Sequence, residues 1–126
     1  MPYEELPVFR DVHELTLKIC DVTQNFRRDY KYTLGEDMRR DCLKMLRGIY
    51  KVNRARDKAL YFDDFLDDFE LLKMEVRICG DLKLLSVSQQ GSIIEMMDKI
   101  GKQIRGWRNS SLVARVSSVT ADESEQ

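Results

Sequence analysis

A chain of 126 residues, 43% of them hydrophobic, is the size of one domain and can bury a core without disulfides or metals. No apolar run approaches the ~18 residues of a membrane span, and Glu4 and Glu5 stand where a secretion signal would carry basic residues, so a soluble, cytoplasmic protein with no membrane partner is expected. The net charge of −1 argues against a uniformly basic molecule but conceals a segregation: residues 31–58 hold nine Lys or Arg against four Asp or Glu, whereas residues 59–85 hold three against seven.

From Pro7 to about Arg28, Phe9, Val12, Leu15, Ile19, Val22 and Phe26 recur at steps of three and four, the spacing of one helix face. Pro7 fits the first turn, where its missing N–H costs nothing. A short polar link from Arg27 to Tyr32 follows. Thr33 and Glu36 then have the T-x-x-E spacing of a capping box, which predicts the start of a second helix. Its apolar stripe is Leu34, Met38, Cys42, Met45, Ile49 and Val52. Arg40, Lys44, Arg47, Lys51 and Arg54 repeat that spacing two residues out of phase, about 200° around the helix, and so form a cationic ridge on the opposite side. Over an unbroken helix the ridge is roughly 21 Å long, with Arg39 and Lys58 beside it. Residues 53–57 fit either a last turn or a connection.

A third helix is predicted from about Tyr61 to Leu84, burying Phe62, Phe65, Phe69, Leu72, Val76 and Cys79, with Leu66 widening the stripe. Asp63 and Asp64 suit its first turn, where the helix dipole favours carboxylates. With Asp67 and Asp68 they read as a solvated acidic face suited to basic residues of a partner, since no Glu-x-x-His motif accompanies them as a di-metal bundle would require. Ser86 and Gln89 form a second capping box before a fourth helix carrying Ile93, Ile94, Met97, Ile100, Ile104 and Trp107 on its apolar side and Lys99, Lys102, Arg105 and Arg108 as a basic component. Gly91, Gly101 and Gly106 interrupt good helix formers, and such glycines usually admit another backbone, here a tight crossing within the subunit or a contact between subunits. After Asn109 periodicity is lost. The expected organisation is one domain over residues 1–109 and a flexible polar and acidic tail over 110–126. With no strand pattern, the fold class is all-α: an antiparallel, up-down-up-down four-helix bundle.

Little in the chain points to catalysis. His13 is the only histidine and lies at the edge of a helix stripe, Gly101 and Gly106 fall inside a helical pattern rather than after a strand, and Cys20, Cys42 and Cys79 have no C-x-x-C spacing and read as reduced core thiols. No catalytic residue, metal site or cofactor is expected. The ridge of Arg40, Lys44, Arg47, Lys51 and Arg54, with Arg39 and Lys58, is the candidate nucleic-acid-binding site, because helically spaced cations suit phosphates without reading bases. Two other readings stay open: a solvated face offset by the acidic third helix, and an oligomeric scaffold in which the basic helix of one subunit meets the acidic helix of the next.

Three segments carry a resemblance: Leu6-Pro7-Val8-Phe9; Tyr32-Thr33-Leu34-Gly35 with Arg56-Asp57-Lys58; and Asp81-Leu82-Lys83-Leu84-Leu85-Ser86 followed by residues 100–107, Ile-Gly-Lys-Gln-Ile-Arg-Gly-Trp. In these the chain resembles the accessory variability determinant family of diversity-generating retroelements, related to the four-helix-bundle proteins of ribosomal-RNA intervening sequences. The resemblance implies a non-catalytic homopentamer that binds a reverse transcriptase and RNA or DNA during mutagenic copying. The alternative is an orphan oligomeric scaffold of the intervening-sequence type with no retroelement role.

Overall fold

The computed structural model describes residues 1–124, with side-chain surroundings up to residue 116. A 3-10 turn, Tyr3–Glu5, precedes α1 (Pro7–Thr23), the single turn α2 (Arg28–Lys31), α3 (Leu34–Arg54), α4 (Ala59–Asp81) and α5 (Val87–Ser124). The described residues contain no strand.

Contacts between distant residues fix the helix directions. Asn53, near the end of α3, donates to the Met1 carbonyl at 3.0 Å, whereas Arg39, in the second turn of α3, reaches the Thr23 hydroxyl at the end of α1 at 2.9 Å. These two helices are therefore antiparallel. Met38 meets Cys79 while Gly48 lies against Phe65, so α3 and α4 are antiparallel too. Trp107 packs edge-on to Phe62 and Gln90 reaches the Val76 carbonyl, which sets α5 against α4 in the same sense. Lys99 and Gln103 close the ring onto Asp11 of α1. The result is an all-α four-helix bundle, the fold class expected from the sequence, with consecutive long helices antiparallel.

The predicted stripes form one core. Val12, Leu15, Ile19, Met38, Cys42, Met45, Ile49, Val52, Leu72, Ile93, Ile100 and Ile104 are fully enclosed, with Phe62, Phe65 and Phe69 among the largest buried side chains. Burying each large apolar side chain contributes roughly 1.5–3 kcal/mol, which is what holds the helices together. Gly101 sits where α5 crosses α4, and a Cβ there would stand 3.3 Å from the Phe69 ring and 3.0 Å from the Arg105 guanidinium. Nothing approaches Gly91 or Gly106, so neither marks a crossing within the subunit.

Several local expectations are corrected. The Thr33 hydroxyl does not cap α3; it donates back to the Asp29 carbonyl at 2.8 Å, because the turn α2 supplies an acceptor one turn earlier. The second box forms as predicted, with Gln89 Oε1 accepting from the Ser86 N–H and Ser86 Oγ from the Gln89 N–H, both at 3.0 Å. Helix α1 stops at Thr23, and a turn rather than a helix carries Phe26 into the core. Helix α4 begins two residues early and ends with Lys83 at φ 60°, where the Leu84 N–H bonds back to the Cys79 carbonyl. This is a Schellman closure with lysine in the place glycine usually takes. Cys20 and Ile94 are exposed rather than core. Past Asn109 the backbone stays helical to Ser124, with Leu112, Val113 and Val116 exposed; Glu125 and Gln126 of the expected tail lie outside the described residues.

Candidate nucleic-acid interface

The outer side of α3 is opposite its buried stripe, as the two-residue offset requires. Arg40, Lys44, Arg47, Lys51 and Arg54 are all exposed there. Their surroundings differ along the helix. At the beginning, Arg40 pairs with Glu36 one turn back at 3.3 Å. Lys44 lies 3.8 Å from Asp41, a carboxylate that is itself buried. Across from Asp41, on α4, Glu75 is also buried, and its Oε1 has no hydrogen-bond partner among the described residues. Burial first, and then the neighbouring Asp41 carboxylate, push Glu75 up to about 8, so it holds its proton at neutral pH.

Arg39 and Lys58 are turned inward. Arg39 donates to the Thr23 hydroxyl and, at 3.3 Å, to the Lys31 carbonyl, joining α1, α2 and α3. Lys58 Nζ donates to the carbonyls of Val52 at 2.7 Å, Asn53 at 3.3 Å and Ala55 at 2.7 Å. It thereby satisfies carbonyls that the end of α3 would leave orphaned. The structure brings five of the seven predicted site residues to one face and commits the other two to holding the bundle.

Two depressions border the second half of the ridge and share Arg47, Lys51 and Tyr61. One, of about 330 Å³, runs along the α3–α4 flank, where Lys44, Arg47 and Lys51 face Asp64, Asp67 and Asp68. Burial raises Asp68 above the usual carboxylate range, while Lys44 and Arg47 oppose that rise and Asp41 and Asp64 add to it. The flank is balanced, three cations against three carboxylates.

The other depression, of about 580 Å³, lies at the end of the bundle between α3, the α3–α4 turn and the first turn of α4. Arg47, Lys51, Arg54 and Arg56 line it together with Tyr50 and Tyr61. Its one carboxylate, Asp57, is taken by Arg115 of α5 at 3.5 Å. Among the described residues Arg47, Lys51 and Arg56 form no ion pair, and Arg54 bonds only the Tyr50 hydroxyl at 3.0 Å. Four cations converge there against one occupied acid. Arg56, Tyr50 and Tyr61 are absent from the predicted site: Arg56 falls after the helical period ends, and neither tyrosine has the charge that marks the ridge.

The remaining titratable clusters have structural partners. Asp63 takes Arg108 at 3.4 Å, Asp11 takes Lys99 at 3.5 Å, and His13 is exposed. Burial pushes the Cys42 and Cys79 thiols up to about 12, which leaves them unreactive, and all three cysteines are free. Among the described residues no cluster of His, Cys, Asp or Glu could hold a metal, and no helix is long and apolar enough to cross a membrane.

A family model described as bAvd-like matches residues 8–111, from the first turn of α1 past Trp107 on α5. No curated protein matches the chain. Since the match spans the whole four-helix core, the chain belongs to the bAvd-like family of accessory variability determinants.

Proposed function

We propose that this bAvd-like chain is a non-catalytic accessory protein that assembles with copies of itself and binds nucleic acid and a reverse transcriptase during retroelement-driven sequence diversification. The observation that carries the nucleic-acid part is the convergence of Arg47, Lys51, Arg54 and Arg56 on a depression whose one acid is already paired. Exposed ion pairs contribute only ~0–1 kcal/mol each, so fold stability gives little reason for cations left without carboxylates. Guanidinium and ammonium groups at helical spacing fit successive phosphates, and the contacts follow charge rather than base identity. Arg40 and Lys44 extend the same face toward the start of α3.

Self-association is supported by α4, where Leu71, Met74 and Ile78 are spaced for one stripe and are 44%, 58% and 46% exposed. The homopentamer implied by the resemblance is the assembly we propose. The orphan scaffold reading shares this stripe and differs in needing no nucleic acid. Pairing of basic α3 with acidic α4 between subunits is disfavoured, because Asp64, Asp67 and Asp68 already lie beside Lys44, Arg47 and Lys51 in the same chain.

A fluorescence anisotropy titration of the full chain with labelled RNA and DNA, repeated over rising salt, tests the proposal. The affinity should fall with a log–log slope reflecting several displaced counterions. It should drop at least about tenfold when Arg40, Lys44, Arg47 and Lys51 are replaced by Gln. Binding indifferent to salt or to those four changes would remove the assignment. Co-purification with a reverse transcriptase encoded beside the gene tests the protein partner, and light scattering tests the pentamer.

A further inference from the structure

The depression at the end of the bundle contains two aromatic rings that phosphate contacts alone do not require. Tyr61 is partly buried against the hydrophobic core, which fixes its ring at the wall. Tyr50 is 40% exposed. Its ring is held from one side by the edge of Tyr3, with centroids 5.2 Å apart, and from another by the Arg54 guanidinium, 5.5 Å from the ring centroid. Both rings line the same volume as four cations, with the Arg54 guanidinium over one face of Tyr50. The opening of about 580 Å³ is within the ~300–1,000 Å³ of small-ligand clefts. The neighbouring flank depression also touches Tyr61, but it lacks Tyr50, Arg54 and Arg56 and is lined by three carboxylates.

Resting on the nucleic-acid reading above, we infer that this depression takes single-stranded nucleic acid, with an unpaired base seated against Tyr61 and Tyr50 while adjoining phosphates meet Arg47, Lys51 and Arg56. Every base has a π-face, so stacking on fixed aromatic rings tolerates any sequence. A duplex keeps its bases stacked inside and offers the rings nothing, and its phosphates would meet the cations alone. The arrangement thus separates two contributions: charge, common to both forms, and stacking, available only to the single strand.

Anisotropy titrations of the full chain at one salt concentration, with a labelled single strand of about 20 nucleotides and a hairpin duplex of equal charge, read the two contributions separately. The native chain should bind the single strand at least about tenfold more tightly than the duplex. Tyr50→Leu with Tyr61→Leu should erase that preference, weakening the single strand at least about tenfold more than the duplex, while Tyr50→Phe with Tyr61→Phe should keep it. Equal affinity of the native chain for both probes, or a preference that survives the leucine changes, overturns the inference and leaves the polyanion reading intact. Failure to bind either probe overturns both. If Tyr61→Leu disrupts the fold, Tyr50→Leu alone, at the more exposed ring, carries the same test with a smaller expected loss.

Discussion

The two depressions that share Arg47 and Lys51 show how far a helix's charge depends on what stands beside it. Along the flank the same two cations look across at Asp64, Asp67 and Asp68, and the local field is nearly cancelled. At the end of the bundle they join Arg54 and Arg56, and the single acid is occupied by Arg115. One ridge is therefore two surfaces, and only one of them can attract a polyanion from solution with its full charge.

The sharpest way to break this contrast is to remove cations from one side at a time. Arg54→Gln with Arg56→Gln should weaken binding to RNA or DNA by about thirtyfold at low salt and flatten the salt dependence by up to about two ion equivalents, whereas Arg40→Gln with Lys44→Gln should cost less than about threefold. Equal losses in the two double variants, measured by anisotropy, would mean that the ridge acts as one surface after all.

A second test exploits the buried acids beneath Lys44. Glu75 is raised to about 8 in the folded chain from an ordinary 4.5, so the folded state holds a proton that the unfolded state releases. Stability is then unaffected below about pH 4.5 and is lost progressively as pH rises through about 8. Glu75→Gln, which keeps the shape and removes the titration, should be more stable than the native chain by on the order of 2 kcal/mol above pH 8 and similar to it near pH 5. Denaturant melts across that range check the sign. A native chain that is more stable at high pH would refute the assignment.

Lys58→Met should lower stability by about 1–2 kcal/mol in the same melts through the three released carbonyls. The smallest effect is a gain. Asp64→Asn, Asp67→Asn and Asp68→Asn together should strengthen nucleic-acid binding by about three- to fivefold, since removing two exposed carboxylates and the half-buried Asp68 from the flank adds modest Coulomb attraction. No gain would show that the flank lies outside the contact.

The apolar stripes were legible because helical periodicity needs only residue type and spacing, and Met38, Cys42, Met45, Ile49 and Val52 are all buried where that spacing puts them. Direction was legible for the ridge as a whole. Partners were not. Arg39 and Lys58 have the same charge as Arg47, and only the fold places the Thr23 hydroxyl and the carbonyls of Lys31, Val52, Asn53 and Ala55 within their reach. Thr33 misled for a related reason, since its spacing to Glu36 does not reveal that α2 offers a nearer acceptor. The burial of the acids Asp41 and Glu75 comes from the α3–α4 packing, which residue type does not announce. The end depression draws on two helices and the turn between them, and no single period passes through Arg47, Arg56 and Tyr61.

The lysine that closes the end of α3 also bears on entropy. A turn between helices ordinarily samples many shapes, and ordering it on contact with a ligand uses up part of the interaction energy. With its ammonium seated among three carbonyls, Lys58 ties that turn down in advance, so Arg54 before it and Arg56 within it are held at a set separation. A strand bound there as proposed would meet a turn already ordered, and little of its binding free energy would go into arranging the protein.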